Sequence, residues 1–310
     1  MPIVVAGNVF VDIKGFPDSK YIPAGRNSGW VEIVHGGVGR NVVEDIANVE
    51  LRPRFVSMVD DTAQGEDVIR KLNNHKVDTR FVSQVPDGMG IWLAIHDAAG
   101  DIASSISKRP NMDAMVEMLE QHGDEIFADA DSVVVEIDMD KEVIKQVFRL
   151  ARKFGKRIYA LVANMSIATQ RRDFLQSVDC FVCNVQEAGI LFAADFEELS
   201  PEEMSRELSE RVQSARIPAM VVTMGSRGAV FASAEGEYGV CPAQTVHVRD
   251  TAGAGDAFFA GVAIGLTYGK GLMESCEIGS RLASSVITVS ENTCPRFLPE
   301  ELGLDVAVEG

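Results

Sequence analysis

The chain has 310 residues, 46% of them hydrophobic, 24% charged and 7% aromatic, which are the proportions of an ordinary globular protein able to bury a large core. Its formal charge of -17, from 46 acidic against 29 basic residues, repels phosphate backbones and anionic lipid and argues against nucleic acid or a membrane as the main partner. An anionic substrate would need local help from the backbone.

From the N-terminus, Ile3 to Ala6 reads as a short buried strand with no basic leader before it, and no later apolar run is long enough to span a bilayer. The expected location is therefore the cytoplasm. Val38, Val42, Ile46 and Val49 form a helical stripe, and further apolar runs at Arg54 to Val59, Ser132 to Ile137, Arg157 to Val162, Cys180 to Cys183 and Ala219 to Thr223 read as core strands. A second stripe, Met204, Leu208 and Val212, follows a helix start in which Ser200 caps, Pro201 fits the first turn and Glu203 completes a capping box. Strands alternating with amphipathic helices predict an α/β fold with a parallel sheet covered on both faces. Residues 9–34 and 90–106 break the alternation with β-like pieces such as Trp30 to Val34 and Ile91 to Ile95, which predicts a small β lid over one edge. No repeat or linker divides the chain, so residues 1–310 read as a single domain carrying that lid.

The five cysteines are scattered, and Cys180 and Cys183 form the only CxxC pair, inside a strand-like run where positions i and i+3 point to opposite faces. Buried thiols are expected, not a zinc or redox site. The five histidines show no ligand spacing, Gly37-Val38-Gly39 lacks the third glycine of a dinucleotide fingerprint, and Gly265 to Gly271 falls short of a P-loop.

The sharpest feature is the run Asp250-Thr251-Ala252-Gly253-Ala254-Gly255-Asp256, which leads into a nearly all-apolar helix reaching about Leu266. Small residues at a helix start let several backbone N–H groups face one point, so negative charge is stabilised there without a cationic side chain. Asp256 at this turn suits a general base for a hydroxyl attacking phosphorus. A glycine-rich turn with Asp256 as a helix cap fits the same composition. Gly36 and Gly37 permit close approach of backbone to ligand, and Asn41 follows in the first turns of the next helix. Asp12, read alone, is a solvated turn residue, and Glu136 ends a strand at the carboxyl edge where ligands collect.

On these residues the chain resembles the PfkB family of carbohydrate and nucleoside kinases. Asp250 to Asp256 matches that family's DTxGAGD signature, Asn184 to Glu187 is similar to its NxxE element, and Thr223 to Gly228 to its TxGxxG turn. The resemblance implies a ribokinase-like three-layer fold and an ATP- and Mg2+-dependent kinase. It implies that Asp256 is the base and that Ala252, Gly253, Ala254 and Gly255 supply amides to the phosphoryl group. Asn184, Thr223, Gly225 and Gly228 would hold ATP, Glu187 and Asn184 would organise magnesium, and Asp12, Gly36, Gly37, Asn41 and Glu136 would bind the acceptor. Asp250, with carbonyls near Ser290, is where the family often holds a monovalent cation, K+ for example.

Within the family, Gly36 to Asn41 (GGVGRN) and the tail residues Glu291, Thr293 and Pro295 resemble the pseudouridine kinase branch, whereas Phe10, Leu161 to Asn164 and Ser107 to Met112 depart from it. Pseudouridine is the leading expected acceptor, with ribokinase or another sugar kinase as the alternative and a non-catalytic sugar or nucleoside sensor as a remote one. Alternating apolar residues at Trp30, Ile33, Trp92 and Ile95 add the expectation of a homodimer joined through the lids.

Overall fold

Strand β1 (Ile3–Ala6) is buried along its whole length because alternate residues enter different cores: Val4 and Ala6 join one, Ile3 and Val5 the other. A computed structural model describes residues 2–289 and 291–305. After β1 come β2 (Phe10–Pro17), β3 (Gly29–Gly36), α1 (Val38–Asn48), β4 (Arg54–Val59), α2 (Ala63–Asn74), β5 (Asp78–Gln84), β6 (Gly90–His96), β7 (Ile102–Lys108), α3 (Asp113–Phe127), β8 (Ser132–Glu136), α4 (Lys141–Lys153) and β9 (Arg157–Leu161). The chain continues through the short helices α5 (Met165–Ala168) and α6 (Arg172–Leu175) to β10 (Cys180–Asn184), α7 (Val185–Phe192), α8 (Pro201–Ala215), β11 (Ala219–Thr223), β12 (Ala229–Ser233), β13 (Tyr238–Cys241), α9 (Ala254–Thr267) and α10 (Leu272–Val286).

Nine strands form one sheet in the order β13-β12-β11-β10-β9-β8-β1-β4-β5. Pairing is parallel from β5 to β11, but β12 and β13 run antiparallel, so the sheet is mixed where a parallel one was expected. The reason lies in the turn after β11, where Gly225 and Gly228 take φ of 60° and 92° and reverse the chain in too few residues for a crossover. Helices α3, α4 and α8 give Leu119, Val147 and Leu208 to the core on one face, while α1, α2, α9 and α10 give Ile46, Leu72, Phe259 and Leu282 to the other. Cys183 lies in the first core and Cys180 in the second. Burial pushes both thiols up, Cys180 to about 12, so they are inert core residues.

A second, four-stranded sheet has the order β3-β2-β6-β7 and is built from the two stretches that interrupt the α/β alternation. Its register separates the residues grouped in the sequence. Asp12 lies opposite Val34 and Trp92, so Trp92 and Trp30 share Asp12's face, whereas Ile13 pairs with Ile33 and Leu93, and Leu93 with Ile106. That second face carries Ile33, Leu93 and Ile106 exposed to 57%, 37% and 68%, while Trp30 stacks on Phe16 at 4.2 Å.

Candidate active site

The acceptor side is built where β2 and β3 meet the start of α1. Gly36 pairs with Phe10 across the strands, and the Asp12 carboxylate occupies the space that any Cβ on Gly36 would need. Gly37 begins α1 at φ 98°, with the carbonyl of Asn8 and the N–H of Phe10 pressed against its Cα side; only glycine tolerates both the crowding and the conformation. One turn into the helix, Asn41 Nδ2 donates to Asp256 Oδ2 at 2.7 Å, which joins the acceptor loop to the other end of the chain. Burial raises the pKa of Asp12, against the opposing charges of Lys14 and Arg40.

Asp256 stands in the first turn of α9, capped by Gly253 at φ 79°. A Cβ on Gly253 would strike the carbonyl of Asn292, whereas one on Gly255 would meet nothing within 4 Å. The turn is therefore packed from behind and open in front. Ala252 N donates to Asp250 Oδ1 at 2.9 Å and Ala254 N to the Thr251 carbonyl at 3.3 Å. Those two amides are thus engaged within the turn, and Gly255 and Asp256 provide first-turn N–H groups that helix geometry leaves without a carbonyl. Burial, together with Asp12 and Glu187, raises Asp256 to about 6, opposed by the Asn41 hydrogen bond and the Arg40 charge. A carboxylate so placed is mostly ionised at neutral pH yet basic enough to take a hydroxyl proton.

On the far side of the turn lies a cavity of about 750 Å3, lined among others by Asn184, Thr223, Gly225, Gly228, Thr251 and Gly255, with Val246, Ala283 and Ile287 as its apolar part. Among the described residues no lysine or arginine lines it, in keeping with an anion site made from backbone. Asn184 and Glu187 form a reciprocal capping box at α7: Asn184 N donates to Glu187 Oε2 at 2.8 Å and Glu187 N to Asn184 Oδ1 at 2.9 Å. That pair uses one carboxylate oxygen of Glu187, whose pKa is raised by burial and by Asp138. Among the described residues no three His, Cys, Asp or Glu side chains converge as a metal cage. The donor set therefore suits magnesium carried by phosphates and water with one carboxylate nearby. Asp250 is exposed and holds the turn; the expected cation carbonyls near Ser290 lie outside the described residues.

Glu136 does not face the acceptor as expected. Only 2% exposed, it accepts from Asn8 N at 2.7 Å and Gly39 N at 2.5 Å through Oε1, and from Asn8 Nδ2 at 3.0 Å through Oε2. These hydrogen bonds go to the loop after β1 and to the first turn of α1, so it braces Asn8 against the start of α1. Burial and Asp138 raise it to about 8. The sequence reading also passed over Asn8, Arg40 and Asn292. Arg40 stands inside the glycine motif, and its burial at 2% exposure is invisible without the tail that covers it.

A wound α/β sheet with cavities at the carboxyl ends of its strands is the architecture of an enzyme acting on small molecules and nucleotides. Residues 2–296 match the family described as pfkB family carbohydrate kinase. The chain is 32% identical over 295 residues to guanosine-inosine kinase of Exiguobacterium acetylicum, covering 94% of this chain and 95% of that protein. It is 23% identical over 295 residues to pseudouridine kinase of Escherichia coli, covering 94% and 92%. Among solved structures, ribokinase of Arabidopsis thaliana complexed with ribose and ATP superposes with a TM-score of 0.80 at 20% identity, over 99% of each chain. The protein belongs to the pfkB family of carbohydrate kinases and has the ribokinase-like fold.

Proposed function

We propose that this kinase transfers the γ-phosphoryl group of ATP to the 5′-hydroxyl of a ribonucleoside, with a guanosine- or inosine-like purine nucleoside as leading acceptor. The observation that carries the reading is the Asn41–Asp256 hydrogen bond of 2.7 Å at the turn separating the acceptor loop from the large cavity. Asp12 would hold ribose hydroxyls against Gly36 and Gly37, and Asp256 would take the proton of the attacking hydroxyl. The hydroxyl oxygen then bonds to the γ-phosphorus as the bond to ADP breaks, with the first-turn N–H groups of Gly255 and Asp256 donating to the phosphoryl oxygens. Asn184, Thr223, Gly225 and Gly228 would line the nucleotide. Magnesium, when bound, offsets the phosphate charge; Glu187 and Asn184 would hold its waters, and Asp250 stands beside the turn where a monovalent cation would sit.

The 32% identity to a guanosine-inosine kinase supports a purine. Pseudouridine is the second reading, favoured by the Gly36 to Asn41 run and a 23% identical relative. The tail match weighs less, because Thr293 is buried and donates to Glu44 at 3.0 Å, a packing role that needs no base. The four-stranded sheet would act as a lid, a reading supported by Asp12 on one of its faces, and we assign the opposite face to a second copy of the chain. Five buried unpaired thiols suit a reducing cytoplasm.

A coupled ADP-release assay over guanosine, inosine, adenosine, pseudouridine, uridine and ribose tests the acceptor. The highest kcat/KM is expected with guanosine or inosine. Turnover with ribose and none with any nucleoside would overturn the reading.

A further inference from the structure

We infer that Arg40 is a positioning residue that fixes the side-chain amide of Asn41, so that Asn41 donates to one oxygen of Asp256 and leaves the other to receive the acceptor's proton. The inference deepens the phosphotransfer reading above and rests on it for the meaning of Asp256. Arg40 is the largest fully buried side chain of the protein's described residues. Its Nη1 donates to Asn41 Oδ1 at 2.8 Å and to Asn292 Oδ1 at 3.3 Å, and its Nη2 to the His35 carbonyl at 2.9 Å. Glu44, one turn along α1, stands 3.4 Å from Nη1 as counter-ion.

An amide can sit in its site in two orientations that differ by exchange of oxygen and nitrogen. With a guanidinium on one side of Asn41 and a carboxylate on the other, only one orientation satisfies both. Nδ2 faces Asp256 Oδ2 at 2.7 Å and Oδ1 faces Arg40; the reverse would set carbonyl against carboxylate and NH2 against guanidinium. A lysine or alanine in place of Arg40 removes that choice or weakens it, since neither offers a planar fork. Burial raises the pKa of both Asp256 and Asp12, and the Arg40 charge opposes it in each.

The same guanidinium gathers three parts of the chain. His35 belongs to β3, in the small sheet; Asn41 belongs to α1; Asn292 belongs to the tail and also donates through Nδ2 to the His35 carbonyl at 3.1 Å. Because the Asn292 carbonyl packs behind Gly253, the group that orients the base also touches the loop supporting the phosphoryl turn.

Two measurements test this, one independent of turnover. In protein labelled with 15N-asparagine, the Asn41 side-chain signal, assigned by its loss in Asn41→Ala, should be resolved and protected from solvent exchange. It should lose that protection in Arg40→Met/Glu44→Gln, a double variant that removes the guanidinium together with its nearest counter-ion and whose folding is checked by circular dichroism. An Asn41 signal unchanged in that variant overturns the inference whatever the enzyme's substrate.

In kinetics, the same double variant should lower kcat about 10- to 100-fold with ATP KM within about twofold of wild type. Arg40→Lys should recover part of the loss. Added to Asn41→Ala, the pair should cost less than about threefold further, because Arg40 acts through Asn41. Fully multiplicative losses overturn the positioning role, while wild-type protein inactive on every acceptor overturns only the phosphotransfer reading and leaves the Asn41 result standing.

Discussion

Asp256 balances burial and two neighbouring carboxylates against one amide and one guanidinium, and the balance falls at about 6. A general base must be ionised, so its rate is fully present above that value and lost as pH falls through it. We expect the kcat/KM profile for the nucleoside to carry an acid limb near pH 6, read from initial rates between pH 5 and 8. Asp256→Asn should lower kcat by roughly two to four powers of ten with acceptor binding retained in calorimetry; near-normal turnover would remove Asp256 from the base role. Glu187→Gln should shift the magnesium titration to higher concentration with little change in acceptor KM, and an unshifted titration would leave Glu187 as a helix cap alone. At this scale the sequence was informative where the candidate site is made of short local runs, as at Gly36 to Asn41 and Gly253 to Asp256. It was uninformative where a side chain's role depends on a distant partner. Arg40 meets Asn292 across 252 residues and Glu136 meets Gly39 across 97, so neither role leaves a local pattern.

Helix α9 is apolar around its whole circumference because it lies between the sheet, α1 and α10, and its weak amphipathicity follows from that position. Gly261 is the point of closest approach: a Cβ there would come within 2.6 Å of the Gly279 backbone on α10. Gly261→Ala should therefore cost about 1–3 kcal/mol through overpacking, measured as a lower urea midpoint with an unchanged slope. An exposed cap gives a milder contrast. Ser200 accepts from Glu203 N at 3.3 Å at the start of α8, and Ser200→Ala should cost about 1 kcal/mol in the same titration. Helix α8 was legible because one face is apolar and the other wet; α1 shows the same apolar stripe, but its polar residues Arg40, Asn41, Glu44 and Asp45 are buried as well. Strand β5 was not, since Asp78, Thr79 and Arg80 open it on the edge of the sheet and only Phe81 within it is buried. Strands β12 and β13 were hidden by their hairpin connection, which the expectation of βαβ units does not contain.

For the whole molecule, the face of the small sheet opposite Asp12 sets the expectation. The row Ile33, Ile13, Leu93 and Ile106 crosses all four strands of the small sheet, and burying it against a second copy removes exposed apolar surface. Light scattering should give twice the chain mass at micromolar concentration, strengthened by salt because each copy carries -17. Ile33→Asp/Ile106→Asp should yield a folded monomer by circular dichroism; a monomeric wild type would reject the interface. The layered α/β plan was readable from the alternation of buried strands with striped helices, and the small sheet from its interruption. Which face of that sheet carries Asp12 was not, because its strands are half-exposed on both sides and only their pairing register assigns Asp12 and Ile13 to opposite faces.

Strand β1 begins the chain yet ends up in the interior of the large sheet, between β8 and β4, and Asn41 waits for an aspartate 215 positions later. During synthesis on the ribosome, which releases the chain from its N-terminus onward, the first strand has no neighbour on one side until Ser132–Glu136 has emerged. The acceptor loop, meanwhile, has no base until α9 follows. An interrupted translation product lacking α9 would carry the Gly36–Asn41 loop without Asp256. The contact between Asn41 and Asp256 thus cannot form until α9 has been synthesised.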